Sequence, residues 1–186
     1  MVRLTQHTIE TPYLVGPVHC YTADVEGELV LFDTGPPTPE SKLYLRKHID
    51  LDRLRHVIVT HGHIDHYGLA YWLEQNSDAT IYLTYHDCLK IEHHESWMEG
   101  LFFILQGYGF SEQALSDLKN EVLSPPIPRR YKVAERDIPG HLGIDMVSCP
   151  GHSQSDLVYL LDGSAVTGDT LLEGIFAGFH DLNGQR

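Results

Sequence analysis

The segment Thr60-His61-Gly62-His63-Ile64-Asp65-His66 constrains this chain more than any other. It follows directly on a compact apolar run, 56–59, which reads as a buried strand. A loop at the end of such a strand turns alternate side chains toward one point while the strand holds their backbone still. His61 and His63 can then face one ion. Asp65 and His66 follow on a turn and can face a second point a few ångströms away. Neutral imidazole and carboxylate are ligands that zinc, iron and manganese accept.

Two further segments repeat the placement. Pro150-Gly151-His152-Ser153 and Thr167-Gly168-Asp169-Thr170 each follow a short strand, and each glycine lets the backbone turn sharply beside the side chain that matters. Alone, a Gly-His pair is a turn. Together with 60–66 they add an imidazole and a carboxylate, each arriving from a strand end.

The rest of the chain predicts α/β structure. Runs 18–25 and 28–32 are rich in β-branched and aromatic residues, and Glu26-Gly27 between them suits a hairpin turn. Asp33-Thr34-Gly35-Pro36-Pro37 stops the second strand. Helices are expected at 39–49, with proline near the start, and at 68–75; 60–67 is read as loop and 79–83 as strand. From 85 to 122 the composition is helical, with Trp97, Leu101, Phe102, Leu105 and Tyr108 at spacings of three and four. Ser111 opens a second helix there, and Ser124-Pro125-Pro126-Ile127-Pro128 ends it. Strands return at 145–148, 157–161 and 165–167. At 186 residues this is a single domain, 1–186, carrying a helical insertion at about 85–124.

At this point the sequence resembles the metallo-β-lactamase superfamily of metal-dependent hydrolases, in its glyoxalase II-like or lactonase-like branch. The resemblance rests on His-x-His-x-Asp-His at 61–66, Gly-His at 151–152, Gly-Asp at 168–169 and the early Asp33. It implies an αββα sandwich with a metal site at one edge of two sheets. It implies that His61, His63 and His152 hold a first metal, that Asp65 and His66 hold a second, and that Asp169 bridges them. Zinc, as one or two ions, is the implied cofactor, with iron or manganese as alternatives. Asp65 would orient a metal-activated hydroxide, and Asp33 would hold a ligand imidazole in one tautomer. The family continues for several tens of residues past its Gly-Asp motif to a last histidine. Here 17 residues follow Asp169, so the C-terminal part reads as short or truncated, and His180 is a weak substitute for that ligand.

The activity these residues imply is hydrolysis of a small ester, thioester or lactone. Aromatics of the insertion, Trp97, Phe102, Phe103, Tyr108 and Phe110, either cap a substrate channel or pack the helices onto the sandwich. A one-iron enzyme oxidising sulfur substrates, with His61, His63 and Asp169 as ligands, is the redox alternative. A metal-binding protein, inactive through an incomplete second site, is the non-enzymatic one. With 13 Lys plus Arg against 26 Asp plus Glu, the net charge is -13, which argues against nucleic acid and anionic membrane as partners. A small-molecule substrate is the expected partner, and a dimer is left open. Cys20, Cys88 and Cys149 are odd in number and widely spaced, so no disulfide framework is expected. Without an apolar signal core at the start, the chain reads as cytoplasmic and not as an exported β-lactamase. His93-His94-Glu95 lacks metalloprotease spacing and reads as a solvated helix end.

Overall fold

A computed structural model describes residues 2–12, 16–123 and 126–171 of the chain. Its first half builds a mixed sheet. Strands β1 (Thr5–Ile9), β2 (Val18–Val25) and β3 (Glu28–Phe32) form an antiparallel meander. The β2–β3 turn is made by Glu26 at φ 52° and Gly27 at φ 85°, the two left-handed residues a tight hairpin needs. Helix α1 (Pro39–His48) then crosses to β4 (Leu54–Ile58), which pairs parallel to β3. Thr38 caps α1 by accepting the Ser41 amide, and proline occupies its first turn.

The next stretch, 60–67, is expected as loop. Within it the chain forms one helical turn, α2 (Ile64–Tyr67), followed by α3 (Ala70–Asn76) and the parallel strand β5 (Thr80–Leu83). Among the described residues, the stretch read as a helical insertion carries α4 (Tyr85–Glu92), α5 (His94–Gly107) and α6 (Glu112–Leu123). A short strand, β6 (Tyr131–Val133), returns the chain to the sheet edge beside β5, completing the order β1-β2-β3-β4-β5-β6. After α7 (Ala134–Asp137), strands β7 (Asp145–Ser148), β8 (Leu157–Leu161) and β9 (Ser164–Val166) form a second, antiparallel sheet.

Alternation along the central strands creates two cores. Leu31, Val57, Val59, Ile81 and Leu83 face the helices, where Leu45, Leu69 and Leu73 meet them. Their neighbours Val30, Phe32, Ile58 and Tyr82 face the second sheet, against Leu157, Tyr159, Leu161 and Val166. Each such side chain contributes ~1.5–3 kcal/mol when fully buried. The described residues thus supply a helical layer and two stacked sheets of the expected sandwich.

The sheets are stitched together at one end. The Tyr159 hydroxyl donates to the Val59 carbonyl at 2.9 Å, and the Leu157 amide donates to the Thr60 carbonyl at 3.1 Å. This end is where the parallel strands β4 and β5 finish, and it carries the motif loop. Cys20, Cys88 and Cys149 are all free, the first two buried. Phe103 and Tyr108 are about four-fifths exposed, so core packing does not account for them. The side chain of Trp97 lies outside the described residues, as does His180. Among the described residues no helix is long and apolar enough to cross a membrane.

Candidate metal centre

Asp33 organises the site. It ends β3 in the left-handed region, at φ 58°, which Asp tolerates better than most residues. Its buried carboxylate takes the Thr60 amide on Oδ1 at 2.8 Å and the Thr60 hydroxyl on Oδ2 at 2.9 Å. Oδ2 also accepts from His66 Nδ1 at 2.9 Å. The carboxylate can only accept, so the Nδ1 proton of His66 is fixed and Nε2 is turned away from it. Thr60 relays the same order to His61. Its one hydroxyl proton goes to Asp33, so its oxygen accepts from His61 Nδ1 at 3.0 Å, leaving His61 Nε2 as a bare lone pair. One carboxylate therefore sets the tautomer of two imidazoles.

Other backbone contacts bring the remaining groups in. The Thr34 hydroxyl donates to the His66 carbonyl at 2.9 Å and accepts the Leu69 amide at 3.0 Å, fastening α2 to the Asp33 turn. Asp156, 2% exposed, accepts the Ser153 amide at 2.8 Å and the Ser153 hydroxyl at 2.7 Å, which shapes the turn that presents His152. Gly168 sits at φ 49°, and a Cβ there would stand 2.5 Å from Thr60 Oγ1. Only glycine lets the Asp169 loop come this close to the motif loop.

Two donor sets result. The ring nitrogens of His61, His63 and His152 all lie within 4.8 Å of one another, and so do the ligand atoms of His61, His66 and Asp169. His61 Nε2 is 3.1 Å from His63 Nδ1, which is 2.8 Å from His152 Nε2. Two nitrogens ~2.0 Å from one tetrahedral cation stand ~3.3 Å apart, so these spacings suit a shared ion. Asp169 joins the sets, with Oδ2 3.4 Å from His152 Nε2 and Oδ1 3.2 Å from His66 Nε2. His66 Nε2 is buried and makes no hydrogen bond, although Asp169 Oδ1 stands 3.2 Å away as a charge contact. A buried polar atom without a partner, aimed at a carboxylate and a bare imidazole, marks a ligand position. The residues present fit a metal ion.

The charges agree. Burial holds the His61 pKa far below its ordinary 6.5, and the neighbouring imidazoles His66, His63 and His152 push the same way. Burial and His152 also lower His63, against the pull of Asp65. Both rings are therefore neutral, the state that ligates. Burial disfavours charge on His66, but Asp33, Asp169 and Asp65 outweigh it and hold its pKa well above 6.5. Burial raises Asp169, and the contact with His66 more than reverses this. A cation at His66 would take the place of that proton.

The six metal ligands that the resemblance implies lie together at the end where β4 and β5 finish, with one difference in grouping. Asp65 is buried, and its Oδ2 is 3.9 Å from His66 Nε2, but it belongs to neither set of mutually close donors. His61 belongs to both. The redox alternative names His61, His63 and Asp169, whereas the close two-histidine, one-carboxylate group among the described residues is His61, His66 and Asp169. Sequence reading missed Thr60, Asp156 and the packing role of Gly168, whose partners are distant in the chain. His93 closes α4 and enters no donor set among the described residues.

Residues 13–181 match the sequence model of the metallo-beta-lactamase superfamily. Among solved structures, a metallo-beta-lactamase family protein of Thermus thermophilus superposes with a TM-score of 0.72 at 23% identity, covering 92% of this chain and 60% of its own. A beta-lactamase domain protein of Burkholderia ambifaria gives 0.60 at 19% identity, covering 84% and 49%. The protein TTHA1623, solved in a di-iron-bound form, gives 0.57 at 24% identity, covering 97% and 78%. The chain therefore spans less than two thirds of the length of the first two. No curated protein matches the sequence at a significant level.

Proposed function

The chain belongs to the metallo-beta-lactamase superfamily, whose members bind metal ions, and from that premise we propose that it is a metal-dependent hydrolase of a small ester, thioester or lactone. The observation that carries this reading is the convergence of His61 Nε2, His63 Nδ1 and His152 Nε2 beside the Asp169 carboxylate. His61, His63 and His152 would hold one ion, and His66 and Asp169, with Asp65 beside them, a second. An ion there supplies Lewis acidity and lowers the pKa of water toward neutrality.

The chain's own residues do the rest. Asp33 and Thr60 keep His61 and His66 in the tautomers that ligate. Asp65, on the first turn of α2 and outside the close donor sets, has the freedom to take a proton from the attacking water and return it to the leaving group. The net charge of -13 favours a small molecule over a nucleic acid as substrate. Zinc suits this chemistry, and the donor set also accepts iron or manganese.

A screen of small esters, thioesters and lactones tests the proposal. Turnover should vanish with a chelator and return with added divalent metal, and Asp65→Asn should lower kcat by ~10²-fold while most metal is kept. Hydrolysis indifferent to both chelator and Asp65→Asn would refute it. The His61–His66–Asp169 group favours one second reading, an iron enzyme oxidising a sulfur substrate. Bound iron with oxygen uptake, and no hydrolysis, would select it.

A further inference from the structure

Helix α4 meets the metal loop at Gly62, through Asp87. A Cβ built on Gly62, the residue between His61 and His63, would stand 2.3 Å from Asp87 Oδ1 and 2.7 Å from its Cγ. The Gly62 backbone lies directly on this carboxylate. Glycine is required here by the close approach, since Gly62 is not among the glycines in the left-handed region.

Asp87 cannot swing aside. It is 3% exposed, and each oxygen is committed. Oδ2 accepts the Thr84 hydroxyl at 2.8 Å, while Thr84 Oγ1 accepts the Asp87 amide at 3.1 Å as the cap of α4. Oδ1, the atom against Gly62, accepts from Lys90 Nζ at 3.1 Å. Lys90 supplies the opposite charge that makes a buried carboxylate tolerable. Thr84 itself is fixed at the end of β5, the parallel neighbour of β4, which feeds the metal loop. Two adjacent strand ends therefore deliver the loop and its support to the same place.

We propose that Asp87 is a positioning residue for the metal centre: the clamp Thr84–Asp87–Lys90 is the surface on which the His61-Gly62-His63 backbone rests, and it fixes how far the two imidazoles project. The inference rests on the metal reading of His61 and His63 and goes beyond it. It assigns the insertion a mechanical part in metal binding, where the sequence had offered it only a substrate cap or packing.

The clash and its relief make the test. Cobalt(II) is titrated into the full chain, with affinity and the visible absorption band as readouts. Gly62→Ala should weaken binding ~10–100-fold, the range for disturbing the support of a ligand, and should change the band. Asp87→Ala alone, which removes the support, should itself weaken cobalt binding and shift the band; in that background the space is open, and adding Gly62→Ala should cost less than ~3-fold more. In an Asp87→Asn background, where the bulk remains, it should cost as much as in the wild type. If Gly62→Ala alone fails to fold, recovery in the Gly62→Ala/Asp87→Ala double variant of folding and of the weakened, shifted cobalt band of Asp87→Ala supports the proposal equally, whereas wild-type affinity and band in Asp87→Ala would overturn it. Equal cost of Gly62→Ala in the wild-type and Asp87→Ala backgrounds, or a double variant that does not recover, would overturn the proposal while leaving the metal reading intact. A wild-type chain that binds no cobalt would overturn the metal reading itself.

Discussion

Removing the Asp33 carboxylate should separate the stability of this edge from its capacity to hold metal. Asp33→Ala strands three buried donors: the Thr60 amide, the Thr60 hydroxyl and His66 Nδ1–H. An unsatisfied buried group costs ~1–3 kcal/mol, and losing one partner of a buried charged pair ~3–5 kcal/mol in all, since the terms overlap. Alanine also loses ~1 kcal/mol at a φ of 58°. We expect about 4 kcal/mol less stability in urea denaturation. Asp33→Asn keeps the shape and tolerates the backbone, so its loss should be nearer ~1–2 kcal/mol. Its amide, however, must face either Thr60 or His66 with a donor. Where it faces His66, the ring proton shifts to Nε2 and blocks the atom aimed at Asp169. Metal affinity should therefore drop ~10–100-fold in Asp33→Asn, read by competition with a fluorescent chelator. Wild-type affinity in Asp33→Asn, or a loss under ~1 kcal/mol in Asp33→Ala, would refute the claim that this carboxylate orders the imidazoles.

Gly168→Ala should cost ~1–3 kcal/mol and weaken metal binding, because a methyl group 2.5 Å from Thr60 Oγ1 must push the Asp169 loop outward; thermal melts with and without metal would register both effects. Glu74, on α3, accepts the amides of Arg129 and Arg130 and the Arg130 guanidinium, which pins the exit of the insertion. Burial works to raise its pKa, but those donors outweigh it and hold the pKa below the ordinary 4.5. Its contribution is therefore complete above pH ~4.5 and is lost as the pH falls through the lower folded-state value. Glu74→Gln should lower stability near neutrality by ~1–2 kcal/mol and flatten the acid limb of the stability–pH curve; an unchanged acid limb would contradict the pin.

The metal centre was legible because ligand chemistry is written in residue type and local spacing. His61, His63, Asp65 and His66 announce themselves within six residues, and glycines mark the turns that present His152 and Asp169. What local spacing cannot carry is the pairing of distant residues. Thr60 meets Asp33 across 27 positions, His152 meets His63 across 89, and Arg130 meets Glu74 across 56. The division of donors into two sets sharing His61, with Asp65 beside them, depends on such contacts and was not foreseen. Short elements escaped for a related reason. β1 reads Thr-Gln-His-Thr-Ile, with only His7 and Ile9 buried, so its alternation is too polar to stand out. β6 has three residues and exists because β5 offers it a parallel edge. α2 is a single turn imposed by the Thr34 contacts with His66 and Leu69.

The central claim is that the metal that survives dialysis depends on His61, whose single Nε2 lone pair is common to both close donor sets, His66 and Asp169 alone being too few to keep a second ion. Elemental analysis of purified chain after dialysis, for the wild type, His61→Ala and His152→Ala, tests this most directly. The account predicts bound divalent metal in the wild type, partial loss in His152→Ala, which spares the His66–Asp169 side, and loss of essentially all of it in His61→Ala. Wild-type metal content in a folded His61→Ala variant would contradict it.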